Sequence, residues 1–319
     1  MKPSVGLAAI FLLCKVHAAP FPTTDQNPFL TGFGLPKPYT ARIAAHDTAI
    51  ATTLNWSNVE LAQQSASEFL IADAESQEWR FAVEHAWTDK FAVRLDVPYR
   101  KIGGGSLDHF IEQWHSLFGM PNGKRDLLPR DVYRIDYERN GSTLASFDES
   151  ASGLGDVALA MGYQMVASKE AALSLWGSLK FPTGDSGKLL GSGAYSAALG
   201  IAQEYILSHR WSLIGQVNGV YLGRGDLLSS QQRNYVISGF VGVEYHYSAA
   251  LSLALQLDAH SAAFNDTSLD LLGSAWILTF GGEYRFAKDW RAQLGVSEDV
   301  KVDASPDVTF VMSVTKSWK

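Results

Sequence analysis

Cysteine is almost missing from this 319-residue chain: the one cysteine is Cys14, close to the start. The residues after Ala18 therefore hold no disulfide framework and no thiolate metal site. They also lack any apolar run near the roughly 20 residues that a membrane-crossing helix needs. Positive charge is short, with 26 Lys and Arg against 33 Asp and Glu. Nucleic-acid binding favours a basic footprint, so no nucleic-acid partner is expected. The Gly-rich runs Gly153-Leu-Gly155-Asp156 and Lys180-Phe-Pro-Thr-Gly-Asp185 open no helix with a Lys-Ser/Thr pair, so they are not phosphate loops. No Ser sits in a Gly-x-Ser-x-Gly turn, and the HExxH spacing is absent. No cofactor or metal is expected.

What is present begins with an export leader. Lys2 supplies positive charge, Val5 to Leu13 is apolar or Gly, and Val16-His17-Ala18 places compact residues at the cleavage positions. Cutting after Ala18 is favoured, because cutting after Ala19 would leave Pro20 beside the scissile bond. Leu13 is too large to precede a lipidated cysteine at Cys14. The domain reading is a leader over 1–18, a Pro-rich periplasmic lead-in over 19–38, and a barrel over 39–319. Proline cannot donate to a sheet ladder, which is why Pro20, Pro22, Pro28, Pro36 and Pro38 suggest an extended lead-in.

From Tyr39 onward, segments of alternating polarity recur. Twelve are read: 40–56, 67–87, 91–101, 154–168, 171–181, 194–208, 211–223, 233–248, 251–263, 274–287, 290–301 and 307–318. Their connections alternate between very short (Thr88-Asp-Lys90, Lys169-Glu170, His209-Arg210, Ala249-Ala250, Lys288-Asp289) and longer (57–66, 102–153, 182–193, 224–232, 264–273, 302–306). Outer-membrane barrels pair short periplasmic turns with longer outer loops. The fold expected is therefore all-β: a transmembrane antiparallel up-and-down β-barrel of about twelve strands, with one long helical outer loop.

One parity of each strand is apolar, as in Leu251, Leu253, Leu255 and Leu257. An Arg or Lys on the lipid face costs roughly 2–4 kcal/mol at the bilayer midplane, so this parity faces lipid. Trp87, Tyr99, Trp211, Tyr221, Tyr245, Tyr247, Trp290 and Trp318 lie near strand ends and suit aromatic girdles. The opposite parity carries Arg94, Asp96, Arg100, Lys180, Glu204, Glu244, His246, Asp258, His260, Glu283, Arg285 and Arg291, expected to line the lumen. Two readings stay open: a polar solute path, or a filled lumen whose charges pair across the barrel.

The 102–153 loop is too long for a simple connection. Leu107, Phe110, Ile111, Trp114, Leu117 and Phe118 follow helical spacing, ended by Gly119 and Pro121. The helix is either a plug or lid, or a helix packed on the rim or the outer-leaflet interface. Lys124, Arg125, Arg130 and Arg134 suit lipopolysaccharide phosphates, while Asp126, Asp131 and Asp136 offer pairing within the loop. His85 shares the lipid-facing parity, which leaves a lipid hydrolase as the last-ranked reading. His109 and His115 fall on different sides of the helix.

Gly153-Leu-Gly-Asp-Val157 and Leu179-Lys-Phe-Pro-Thr-Gly-Asp185 resemble runs of phenol meta-pathway porin-like barrels. More closely, Asn27-Pro-Phe, Asp108-His-Phe-Ile-Glu, His115, Phe118-Gly119 and Asn122-Gly123 resemble an uncharacterised proteobacterial outer-membrane family, domain of unknown function family 3187. The resemblance runs from about residue 25 to the end and implies an outer-membrane barrel without a substrate. The expected function is porin-like passage of an unknown small solute. The alternative is a closed structural or envelope-interaction barrel acting through its outer loops. Expected partners are outer-membrane lipid, lipopolysaccharide and the barrel-assembly machinery, after Sec export. The terminal strand, with Phe310 and Trp318 on its lipid parity, suits an assembly signal, although Lys319 follows the aromatic. Replacing Trp318 by Ala is expected to lower outer-membrane levels of the protein; immunoblots showing unchanged levels would place the signal elsewhere.

Overall fold

The structure, a computed structural model, describes residues 18–118 and 130–319. Residues 1–17 of the expected leader, and Gly119, Pro121, Asn122, Gly123, Lys124, Arg125 and Asp126 of the long loop, lie outside the described residues.

Twelve strands close an antiparallel barrel. They are β1 (Thr48–Gln64), β2 (Glu68–Ala86), β3 (Phe91–Gly103), β7 (Ala158–Ala167), β8 (Ala171–Lys180), β9 (Ser196–Ile206), β10 (Trp211–Leu222), β11 (Tyr235–His246), β12 (Leu251–His260), β13 (Ala275–Ala287), β14 (Trp290–Asp299) and β15 (Val308–Trp318). The first and last strands shut the cylinder, with Thr48 opposite Trp318 and Asn58 opposite Val308. The long loop holds helix α1 (Asp108–Phe118) and three short strands: β4 (Arg134–Arg139), β5 (Ser142–Phe147) and β6 (Ala151–Leu154). β4 pairs with the outer part of β2 and β6 with the outer part of β3.

Side-chain parity explains which wall faces what. On β12, Leu253 and Leu255 are exposed, while Ser252, Gln256 and Asp258 are buried. On β13, Trp276 and Phe280 are exposed, while Thr279 and Glu283 are buried. The outer surface is thus the greasy one, as a lipid solvent demands. Trp211 and Tyr221 open and nearly close β10. At ~3.3 Å per residue and a tilt of ~40°, their rings stand about 25 Å apart, the height of the apolar band that such barrels present. Tyr245 packs against Trp211 and Tyr235 against Tyr221, with centroids 4.8 and 5.5 Å apart, so the two girdles continue across strands.

The lipid face ends abruptly on β1 and β2. Outward positions run Ile50, Leu54, Trp56 and then Asn58, Glu60; on β2 they run Phe81, Trp79 and then Gln77, Glu75. The strands continue beyond the bilayer here, so the connection expected at 57–66 is strand, and only 65–67 joins the hairpin. The strand expected over 40–56 starts instead at Thr48. Residues 40–47 alternate in polarity but pair with no strand; they end the N-terminal segment, which meets the wall where His46 N–H donates to Ala86 O.

Helix α1 settles on this polar–apolar border, on the outside of the barrel. Leu107 and Ile111 are buried against Val308, with Trp56, Val296 and Phe310 beside them. Phe110 is half exposed and sets its ring 5.7 Å from Phe310. Glu75 accepts hydrogen bonds from Ser106 N, Leu107 N and Trp56 Nε1, and Asp108 accepts from Asn58 Nδ2 and Asp131 N. The plug or lid reading of this helix is therefore corrected: its apolar stripe needs apolar cover, and the outer girdle supplies it where the charged lumen does not. Trp114, Leu117 and Phe118 lie on the helix. Arg134 pairs with Asp136 within the hairpin.

The lumen is filled by the N-terminal segment. Residues 18–47 start among the periplasmic ends of the strands, rise to the outer mouth at Asn27–Gly34, and return. The reading of 19–38 as a periplasmic lead-in is corrected accordingly. Its prolines bar ladder pairing, as argued, yet the barrel accepts it without a ladder. At the outer end Phe29, Leu30 and Phe33 join an apolar cluster with Leu61, Leu70, Ile135, Tyr137, Phe264 and Leu271, which caps the barrel.

Ile111→Ala is expected to free α1 without opening the barrel, since such truncations cost about 2–5 kcal/mol, more than a surface helix holds in reserve. Limited proteolysis should cut within 103–133 faster while the barrel keeps its heat-modifiable mobility on gels; unchanged cleavage would contradict the packing described.

Candidate functional site

A segment buried inside a barrel brings its backbone amides and carbonyls with it. Each of these groups must find a partner, because a buried unsatisfied one costs about 1–3 kcal/mol. Four inward-facing glutamines provide much of the answer. Gln256 accepts from Phe21 N at 2.9 Å and donates to Phe21 O at 3.3 Å. Gln216 accepts from Tyr39 N at 2.8 Å and donates to Lys37 O at 3.2 Å. Gln164 accepts from Ile43 N at 2.5 Å and donates to Ala41 O at 2.9 Å. Gln293 donates to Ala19 O and Pro20 O. A carboxamide carries both a donor and an acceptor, so Gln256, Gln216 and Gln164 each act as a single rung of ladder projected from the wall, while Gln293 uses its donor alone.

Cationic side chains take other carbonyls. Arg80 donates to Pro22 O, Arg94 to Pro38 O and Arg100 to Thr31 O. Lys180 Nζ donates to Gly32 O at 3.1 Å, Ala194 O at 2.7 Å, Ser192 Oγ and Asp156. Gly34, at φ 66°, lies against the Lys180 stem, and a Cβ there would come within 2.4 Å of Cδ. Only glycine allows both that backbone region and that approach.

The two Gly-rich runs are one structure. Asp156 accepts from Lys180, Gly184 N and Ser192 N, and Thr183 bonds Gly155 O and Val157 N. The two runs hold each other and present Lys180 to the tip of the inserted segment.

Every residue expected to line the lumen lies on the inward parity, and the inserted segment or another wall residue is its partner. Arg94 grips Asp96 through two nitrogens at 2.8 and 2.9 Å, and Arg100 bonds Glu78 at 3.0 Å. Lys37 of the segment reaches Glu78 at 3.4 Å, and Arg42 reaches Glu204 at 3.1 Å. Asp25 accepts from His260 Nε2 at 2.8 Å. Glu283 faces Arg285 at 2.9 Å and Arg291 at 3.8 Å, and Asp258 accepts from Gln256. Glu244 lies 3.4 Å from His246 Nδ1. His246 Nε2 lies 2.9 Å from Ser212 Oγ, but Ser212 has no exposed surface and Ser252 shares Nδ1. No substrate carbonyl reaches that serine in this conformation. His85 sits at the periplasmic rim on Thr48 Oγ1. Among the described residues no group of three His, Cys, Asp or Glu is placed to hold a metal.

Sequence reasoning passed over Trp176, which points inward, stacks on Tyr39 (centroids 4.6 Å, 10°) and donates to Thr40 O. Gly162 makes its room: a Cβ there would meet the indole at 2.6 Å. The available signal was a lone Trp on a polar parity. A cavity of about 300 Å³ remains at the periplasmic end, between the two legs of the segment, lined among others by Pro22, Tyr39, Arg42, Glu84 and Arg94.

Lys180→Met is expected to loosen the tip, because removing one partner of a buried ion pair costs about 3–5 kcal/mol. With Thr31→Cys as the one reactive thiol after leader removal, maleimide labelling should speed up at least tenfold in the Lys180→Met barrel; equal rates would contradict the latch.

Solved structures resemble this fold. The COG4313 outer membrane channel from Pseudomonas putida F1 matches with a TM-score of 0.58 at 14% identity, over 88% of this chain and 99% of that one. The NanC porin matches with a TM-score of 0.48 at 10% identity, over 84% and 98%. No curated protein sequence matches the chain. The family model described as a protein of unknown function (DUF3187) matches residues 6–318, and the chain belongs to that family.

Proposed function

We propose that this protein is a gated outer-membrane conduit for a small polar or charged solute, closed in the described conformation by its own residues 18–47. The observation that carries the reading is how the lumen is filled. The wall's own side chains do not fill it; an irregular segment does, and its polar contacts to the wall between residues 18 and 45 run through wall side chains and not through a backbone ladder. Such a segment can leave without breaking a single barrel ladder. The wall it would uncover carries both signs of charge, which supports passage of polar solutes with weak preference between cations and anions. The outer-membrane location rests on the barrel fold. Sec export, insertion by the assembly machinery and contact with lipopolysaccharide complete the proposal.

A second reading has its own support. The apolar cap over the outer mouth suits a permanently closed barrel whose work is done by its outer surface, including α1 and the β4–β5 hairpin.

Planar-bilayer recording separates the two. The full-length barrel is expected to conduct rarely and in small steps, and deletion of residues 19–38 to give steady conductance at least severalfold larger. A deleted barrel that is folded by heat modifiability yet silent would reject the conduit and favour the closed barrel.

A further inference from the structure

The inserted segment begins against buried carboxylates. Ala18 N–H donates to Glu204 Oε1 at 2.9 Å and Ala19 N–H to Glu244 Oε2 at 3.0 Å. Both glutamates are almost wholly buried, at 2% and 1% exposure. Gln293 holds the other side of the same residues through Ala19 O and Pro20 O. Three strands of the wall, β9, β11 and β14, thus hold residues 18–20 around the bond where cleavage of the leader is expected.

The charges here are unevenly matched. Glu204 has Arg42 at 3.1 Å, and Glu283 has Arg285 and Arg291. Glu244 faces His246, at 3.4 Å, and its Oε1 accepts no hydrogen bond. A carboxylate buried this deeply calls for a full positive charge with several donors. A peptide N–H supplies one donor and no charge.

We infer that the α-ammonium of Ala19, produced by leader removal, is the ligand of Glu244, and that this ion pair anchors the start of the inserted segment inside the barrel. Hydrolysis of the Ala18–Ala19 bond adds water, leaving a carboxylate on Ala18 with the departing leader and an amine on Ala19. That amine is largely protonated at neutral pH, its ordinary pKa being about 7.7–8.0. The same nitrogen that donates one hydrogen bond to Glu244 then carries three donors and a unit charge. Glu204 loses the Ala18 N–H and keeps Arg42. Leader removal thus gives the segment a charged start that the peptide bond lacked. The inference rests on leader removal and on the position of residues 18–20, not on conduction.

The test uses the mature protein purified from outer membranes. N-terminal sequencing should begin at Ala19. Acylation by an amine-reactive ester at neutral pH, read by peptide mass spectrometry, should modify the Ala19 amine at least tenfold more slowly in the folded barrel than in the denatured chain. Glu244→Gln should remove most of that protection in a barrel still heat-modifiable on gels, while Glu170→Gln, in an exposed periplasmic turn, should not. A first residue other than Ala19, equal acylation in folded and denatured wild-type protein, or full protection retained in Glu244→Gln would each overturn the inference. The wild-type comparison decides the matter even if the variant fails to fold.

Discussion

The structure depends on satisfying the backbone of a buried segment that cannot join the sheet. A barrel has no spare edge, and prolines deny residues 18–47 a regular ladder. The wall answers with side chains that mimic peptide groups. Gln164, Gln216, Gln256 and Gln293 serve the N–H and C=O groups of the segment, and Arg80, Arg100 and Lys180 take further carbonyls. This is why the lumen is at once charged and closed. Its charges are spent on the segment and on neighbours, with Glu78 serving Lys37 and Arg100 together.

Strand parity was legible because two solvents act on it. Lipid penalises charge on one face, and the lumen demands polarity on the other, so each strand between the girdles carries its own label. The label fades above Trp56 and Trp79, where outward positions become Asn58, Glu60, Gln77 and Glu75, and Asn58 and Glu75 are buried against the long loop. The far end of β1 therefore reads as a connection over 57–66 and stands as strand in the structure, while the β2 arm reads as strand over 67–87. The reverse occurs at 40–47, where alternation reflects contact with the lumen and not pairing. An inward glutamine has the same sequence pattern whether it meets water or a peptide group, so the four glutamines gave no sign of their occupant. Asp156 and Lys180 were visible within two runs, but their ion pair joins positions 24 residues apart, brought together at the open end of the β7–β8 hairpin, where Ala158 pairs with Lys180.

Helix α1 and the inserted segment show how composition sorts two candidates for one lumen. The helix carries the apolar stripe Leu107, Phe110 and Ile111 and goes to the lipid border. The segment carries prolines, Asp25, Lys37 and Arg42 and goes inside. Four of its large apolar residues, Phe29, Leu30, Phe33 and Leu35, join the apolar cluster that caps the outer mouth.

The central claim is that this segment closes the lumen and that its departure opens it. Cysteines in place of Asp25 and His260, whose polar atoms lie 2.8 Å apart, would tether the segment to the wall once bridged through disulfides by a short bis-methanethiosulfonate reagent, because the side chains that meet here are longer than a direct disulfide spans. Conductance recorded on one membrane before and after reduction tests the claim most directly. The account predicts a silent bridged barrel that begins to open once reduced. Equal conductance in both states, with the bridge shown complete, would contradict it.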